Sequence, residues 1–386
     1  MRDTYDCVVV GGGPGGAWAA KHVAEEGASV LLLEKDREIG IPVRCAEAVG
    51  ENGLKKVVEP KPRWITNVIQ GAVLVAPNGR EVLMASEGER GYMLDRKIFD
   101  YDLVQTATTH GVEVMTKAYV YDLIKTNGAV EGVKFQHLGQ NHEIRAKIVI
   151  GADGVESRVG RWGGLRTNIK LKDMESCIQM TLSNIKVDSR YVYFYFGRDV
   201  APGGYLWVFP KDNRVAHVGL GISGEYARHK SAMKYLKEFI DKHFPHAAVM
   251  YTVVGGVPCA PTLKKIVADG LMLVGDAAHQ VNPISGGGIV AAMVAGQIAG
   301  RVAAQAIQEN DVSEKRLEQY PIEWHKAAGK DHERLYKIKK AVYKLTEEDL
   351  NHTANSVLRL PPEKRTITNI FKSALMKHPS LIFDVI

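Results

Sequence analysis

The sequence predicts an α/β chain with α+β elements: a Rossmann-like nucleotide-binding domain, an antiparallel-sheet domain and a helical C-terminal region. Three observations predict it. The first forty residues read strand, Gly-rich turn, helix, strand. Residues 175–223 are dense in aromatic and β-branched runs bounded by Gly and Asp turns, and residues 313–386 are charged with a helical pattern.

Taken in order, Cys7–Val10 is a short apolar run, Gly11–Gly16 breaks it, Ala17–Glu25 favours a helix, and Ser29–Leu33 is apolar again. A crossover helix between two strands makes them parallel neighbours. Strand–turn–strand follows from Val68 to Leu83 around Pro77-Asn78-Gly79, then a helix over Arg96–His110. Strands over Val112–Phe135 turn at Asn127-Gly128, and Ala146–Ile150 is a buried strand. Tyr191–Phe196, Tyr205–Phe209 and Val215–Ile222 read as antiparallel strands of a second domain, followed by a helix at Tyr226–His243 and a strand at Val249–Val254. The chain then returns to the first domain at Leu271–Val274. The expected partition is residues 1–170 and 255–310 for the nucleotide domain, 171–254 for the sheet domain that takes substrate, and 311–386 for the helical region, interrupted at Pro361-Pro362.

Composition narrows the class. The 386 residues are 45% hydrophobic, 24% charged and 8% aromatic, as in ordinary soluble enzymes. A net charge of +6, diluted by 44 acidic residues, argues against nucleic acid. It is compatible with an anionic substrate or peripheral contact with the inner face of a membrane. Cys7, Cys45, Cys177 and Cys259 are far apart, without a CxxC pair, so neither a disulfide framework nor a zinc site is expected. No His/Asp/Glu cluster has metal spacing either. With no apolar signal core at the N-terminus, the expected location is cytoplasmic. Ala277–Gly300 lacks Asp, Glu, Lys and Arg, yet it holds His279, Gln280, Asn282, Pro283 and several glycines. It reads as a polar loop and a small-residue helix, not a membrane span.

The chemistry lies in three motifs. Gly11-Gly12-Gly13-Pro14-Gly15-Gly16 satisfies GxGxxG: Gly11 for the tight turn, Gly13 for backbone approach to a pyrophosphate, Gly16 for close helix–strand packing. The helix start that follows favours an anion. Glu34 ends the next strand, placed to accept from ribose hydroxyls, and its charge disfavours a 2′-phosphate. This unit alone does not separate NAD from FAD. The second motif is Gly151-Ala152-Asp153-Gly154, and the third is Gly275-Asp276-Ala277-Ala278 continuing to Gly286-Gly287-Gly288. Gly288 opens a helix over Ile289–Ile307, whose amino end carries free donors and a partial positive charge.

These three fingerprints, in this order, resemble the flavoprotein hydroxylase superfamily with its para-hydroxybenzoate-hydroxylase-like fold. Pro42-Val43-Arg44-Cys45-Ala46-Glu47 and Tyr205-Leu206-Trp207-Val208-Phe209-Pro210 are similar to the PxxCxE and YxWxFP strings of geranylgeranyl reductases, among them the archaeal digeranylgeranylglycerophospholipid reductases. The resemblance runs over nearly the whole chain and makes the first domain FAD-binding. It implies that Gly15 and Gly16 meet the pyrophosphate and Glu34 the ribose, that Arg44, Cys45, Ala46 and Ala48 line the flavin, and that Arg96 reaches the ribityl and phosphate region. Val120 would meet adenine through its backbone, Asp153 and Asp276 would serve the cofactor's polar chain, and Gly287, Gly288 and Ile289 would present amides to the flavin ring. Tyr205, Trp207 and Phe209 would line a lipid pocket.

The implied reaction is saturation of isolated C=C bonds in the geranylgeranyl chains of membrane lipid precursors. Flavin N5 would deliver hydride to one carbon, and an acid would protonate the other. Cys45 is a candidate catalytic thiol, although a wall position beside the flavin fits it better. Electrons would come from outside: ferredoxin, a deazaflavin or NAD(P)H. Rival readings are an aromatic-ring flavin monooxygenase of the same fold, a reductase of geranylgeranyl diphosphate, a chlorophyll precursor or a quinone tail, and a lipid-binding carrier. His279 reads as structural, and Lys337–Lys344 as a solvated helix face.

Overall fold

The computed structural model describes residues 2–84 and 90–377. The chain divides into two compact units: Met1–Val43 with Arg96–Ile169 and Pro258–Glu333, and Arg44–Asp95 with Lys170–Val257 and Arg334–Ile386.

In the first unit the central strands run Leu271–Leu273, Gln140–Gly151, Thr4–Val10, Val30–Leu33, Glu113–Met115, all parallel. Such strands are buried on both faces and need continuous apolar runs. Cys7–Val10 and Val30–Leu33 supply them, every residue being buried. The strand Thr4–Val10 has neighbours reached by opposite connections, and the chain leaving its carboxyl end forms the glycine turn. That is where open α/β sheets bind ligands. The helices Pro14–Glu25 and Ile289–Gln308 pack closely on each other: a Cβ at Gly296 would lie 2.4 Å from the Gly15 carbonyl oxygen. The second helix has the length and hydropathy of a membrane span, but 61% of its apolar window is buried inside the protein. Its composition answers to packing on Pro14–Glu25.

The second unit holds a sheet in the order Ala248–Pro258, Met174–Ser183, Ala216–Ser223, Tyr205–Pro210, Tyr191–Tyr195, Gly71–Val75, Glu81–Met84. One face packs on the helix Ala232–His243 through Leu206, Val208, Val218, Leu220, Leu236 and Phe239. That helix begins six residues later than Tyr226, because Ser231 caps it by accepting from the Lys234 amide. The other face carries Tyr205, Trp207 and Phe209.

The expected partition is therefore corrected in two places. Residues 44–95 belong with the substrate sheet, because Gly71–Val75 pairs in parallel with Tyr191–Tyr195. Ala48–Gly50, Gly91–Leu94 and Ile65–Ile69 form a small sheet there, whose Ile69 and Met93 pack on Trp207 and Phe209. The helical C-terminal region is not a unit of its own: it divides at Glu333, and residues 378–386 lie outside the described residues. From Arg334 onward it is fastened to the substrate sheet by Tyr336, which donates to Asp173, and by Lys339 and Tyr343 on Glu175. Lys339 thus departs from the solvated face expected of Lys337–Lys344, being 3% exposed.

Candidate functional site

In the first unit the three motifs converge around two helix starts. Gly11 has φ +110°, a conformation that L side chains rarely adopt, and a Cβ there would sit 2.3 Å from the Ala152 oxygen. A Cβ at Gly16 would meet the Gly11 oxygen at 2.0 Å, so only glycine lets the helix come this close to the strand. Gly15 is buried against Ala292. These two glycines pack protein on protein. Gly13 differs: nothing lies within 4 Å of where its Cβ would be. Open space at the amino end of Pro14–Glu25, with no side-chain cap and no acid in the first turn, suits a diphosphate.

Glu34 stands beside this turn. Its Oε2 accepts from the Gly12 amide at 2.8 Å and its Oε1 from the Asp36 amide at 2.8 Å. Each oxygen retains a lone pair for a ribose hydroxyl. The Glu34 carbonyl accepts from the Ala118 amide, which sets the strand Ala118–Thr126, and so buried Val120, beside the same edge.

Asp153 Oδ2 accepts from the Val159 amide at 2.9 Å, while its Oδ1 is buried with no protein partner. Burial raises its pKa against the backbone donors. Asp276 sits at the foot of the helix Ile289–Gln308, and a Cβ on Gly288 would be 3.3 Å from its Oδ1. Burial pushes the Asp276 carboxyl up to about 6, against the lowering effect of the Arg96 guanidinium. Arg96 forms a bidentate pair with Asp100, at 2.7 and 2.8 Å. The helix after Gly288 again has no side-chain cap and no acid in its first turn. The Ala292 amide is the first to close onto it, through the Gly288 carbonyl, so the amides of Gly288 and Ile289 precede the first intrahelical bond. Gly287 donates to Ser285 Oγ at 3.2 Å. An orphaned buried oxygen, an open glycine cradle and two uncapped helix starts fit a dinucleotide such as FAD. His279, at φ +57° and 4% exposed, ends the Gly-Asp-Ala-Ala turn. Among the described residues no group of three or more His, Cys, Asp or Glu gathers to hold a metal.

In the second unit the structure brings the PxxCxE and YxWxFP strings together. Ala46 packs on a cluster of Ile69, Met93, Val192, Trp207 and Phe209, joined by Cys177, Phe194 and Tyr205. Phe194 meets Tyr205 and Phe209 edge-on, with ring centroids 5.3 Å apart in each case. The Trp207 indole reaches over the neighbouring strand, where a Cβ on Gly219 would be 2.5 Å from its Cζ2. Glycine in that strand makes room for the ring. Arg44 and Ala48 are exposed, and Cys45 is half-buried with its Sγ accepting from the Glu47 amide.

Sequence reasoning missed the polar groups that hold this wall. Glu47 is 3% exposed and left-handed at φ +68°, and its Oε2 takes Lys211 Nζ at 2.6 Å and His217 Nε2. Burial alone would raise the Glu47 pKa, but the His217 hydrogen bond and the charges of His217 and Lys211 hold it at about 2. His217 Nδ1 pairs with Thr181 Oγ1 at 3.0 Å. Gln179 bridges Trp207 and Cys45. Of these, only the Glu of the motif was visible beforehand. Its partners arrive from strands far away in sequence.

The geranylgeranyl reductase catalytic domain family matches residues 173–257, and the pyridine nucleotide-disulphide oxidoreductase family matches residues 5–184. A digeranylgeranylglycerophospholipid reductase of Methanococcoides burtonii is 45% identical over the whole chain and 96% of its own length, and one of Methanocella arvoryzae is 44% identical over 100% and 99%. A geranylgeranyl bacteriochlorophyll reductase-like protein of Thermoplasma acidophilum superposes with a TM-score of 0.93 at 35% identity, covering 99% of this chain and 98% of that one. A flavin-dependent brominase matches at a TM-score of 0.73 and 18% identity over 98% of this chain and 99% of that one, which is a likeness of fold alone.

Proposed function

We propose a function that proceeds from one premise: this chain belongs to the digeranylgeranylglycerophospholipid reductase family. It is an FAD-dependent oxidoreductase that saturates C=C bonds in the geranylgeranyl chains of membrane lipid precursors. When bound, FAD supplies the hydride that an unactivated alkene cannot obtain from a side chain. The chain's own residues bind, orient and exclude water.

Residue by residue, the reading is as follows. The amides around Gly13 hold the diphosphate, with Gly11, Gly15 and Gly16 shaping the turn. Glu34 takes the ribose, Val120 the adenine, and Asp153, Asp276 and Arg96 the ribityl chain and its phosphate. Gly287, Gly288 and Ile289 offer the positive end of a helix to the electron-rich edge of the reduced ring. Arg44, Cys45, Ala46 and Ala48 form a wall beside the flavin, with Cys45 as packing and not as nucleophile.

The observation that carries the substrate assignment is the sheet face of Tyr205, Trp207 and Phe209 laid over Gly219, inside the segment matched by the catalytic-domain family. A polyprenyl chain has no charge or hydrogen-bonding group along its length, so its affinity comes from apolar burial, about 25 cal/mol per Å². The electron donor is external (ferredoxin, a deazaflavin or NAD(P)H), since one dinucleotide fingerprint serves one cofactor. Contact with the membrane is peripheral, and the edge strand Ala248–Pro258 supports it by exposing Met250 (67%) and Val254 (62%). The test is anaerobic incubation of the purified flavoprotein with chemical reductant and the geranylgeranyl lipid, read by mass spectrometry. Gain of two hydrogens per bond is the expected result. Hydroxylation of an aromatic ring with oxygen, and no lipid reduction, would overturn it.

A further inference from the structure

Gln179 is 5% exposed and sits on the strand Met174–Ser183, in the same cross-strand row as Gly219 and Trp207. Its side-chain amide is used at both ends. Oε1 accepts from Trp207 Nε1 at 3.0 Å, and Nε2 donates to the Cys45 carbonyl at 3.1 Å. The amide has one allowed orientation here, because an indole N–H only donates and a backbone carbonyl only accepts. Gly219 between them is the gap that lets the indole cross the middle strand and reach Gln179: a Cβ there would lie 2.7 Å from Trp207 Cε2. Glu would set a second acceptor against the Cys45 carbonyl, and Leu would remove both hydrogen bonds.

We propose that Gln179 is a positioning residue that ties the Cys45 segment to the Trp207 indole, so that the hydrocarbon-facing wall and the segment assigned to the flavin hold their geometry together. This rests on the reading that Cys45 lies beside the flavin and Trp207 beside the lipid. A chain occupying the aromatic face presses on Trp207, and the amide passes that constraint to the backbone at Cys45. Gln179 touches neither reactant in this scheme. It acts through its two neighbours.

The experiment reads the absolute rate of Cys45 alkylation by iodoacetamide, quantified by peptide mass spectrometry, in FAD-free and FAD-loaded protein. Gln179→Leu is expected to raise the Cys45 rate about fivefold, the scale of one net hydrogen bond. Trp207→Phe, which keeps Gln179 but removes its donor, is expected to raise it to a similar degree, and the double variant to add nothing further. In loaded enzyme, Gln179→Leu is expected to lower kcat with KM nearly unchanged. If Gln179→Leu does not fold, Trp207→Phe still decides the matter. A wild-type Cys45 rate in either folded variant, or additive effects in the double variant, would overturn the coupling. A merely structural Gln179 would lower Tm and leave the Cys45 rate of the folded protein unmoved. The underlying reading fails separately: if FAD gives wild-type Cys45 no protection, its place beside the flavin is wrong while the Gln179 link stands.

Discussion

Replacing Glu47 with Gln tests the polar scaffold behind the substrate wall. The carboxylate is 4% exposed, with Lys211 Nζ at 2.6 Å and His217 on the same oxygen. Gln keeps the shape and removes the charge, so Lys211, its side chain only 19% exposed, loses its counter-ion. Breaking one side of a buried pair costs about 3–5 kcal/mol. A second route to the magnitude is pH linkage. The Glu47 pKa falls from 4.5 to about 2 on folding. A depressed carboxylate contributes stability above its unfolded pKa and loses it as pH falls through the folded value. At ~1.4 kcal/mol per unit, the shift corresponds to an upper bound of about 3 kcal/mol. The two routes agree in size. Urea unfolding at intervals between pH 7 and pH 2 is the assay. Glu47→Gln is expected to be about 3 kcal/mol less stable at pH 7, and to lose less than the wild type between about pH 5 and pH 2. Equal stability at pH 7 and parallel pH profiles would refute the reasoning.

Other perturbations separate cofactor from substrate. Glu34→Ala should weaken FAD binding roughly ten- to hundredfold, because the ribose loses a charged acceptor, and Gly13→Val should do more by filling the open cradle; absorbance of purified protein checks both. Trp207→Ala should lower kcat/KM roughly tenfold to a hundredfold, more for long isoprenoids than for short ones, with FAD content normal; equal loss on two chain lengths would mark Trp207 as structural only. Lys339→Met should lower Tm by leaving Glu175 buried without its cation, a cost of about 3–5 kcal/mol, as thermal melts would show. Met250→Asp should weaken sedimentation with anionic vesicles while turnover on detergent-dispersed lipid is kept.

The nucleotide unit was legible because its signals are local. The strand Thr4–Val10, the turn at Gly11 and the helix Pro14–Glu25 are contiguous, and Gly11 and Gly16 are required by close contacts within that stretch. The stripe of Tyr205, Trp207 and Phe209 was legible for the same reason: period two is visible in one strand. What stayed hidden depends on distant pairing. Nothing in residues 71–75 announces a parallel partner at 191–195, so 44–95 was placed with the wrong unit. Lys339 looked like one more surface lysine until Glu175, across the fold, took it inside. Glu47 was visible as a motif letter, but its left-handed backbone and its partners Lys211 and His217 were not. Gly219, within the strand Ala216–Ser223, is the space that the Trp207 ring fills, a role that shows only once Tyr205–Pro210 is paired beside it.

The most direct test of the central claim is product analysis under strict anaerobiosis. Purified protein carrying its flavin, a chemical reductant and a digeranylgeranyl glycerophospholipid are incubated together, and the lipid is weighed by mass spectrometry beside a Trp207→Ala control. Stepwise gain of hydrogen pairs with wild type, much slowed in the control, is the predicted result. An unchanged lipid with a fully reduced flavin, under conditions where the lipid is shown to be bound, would contradict the account.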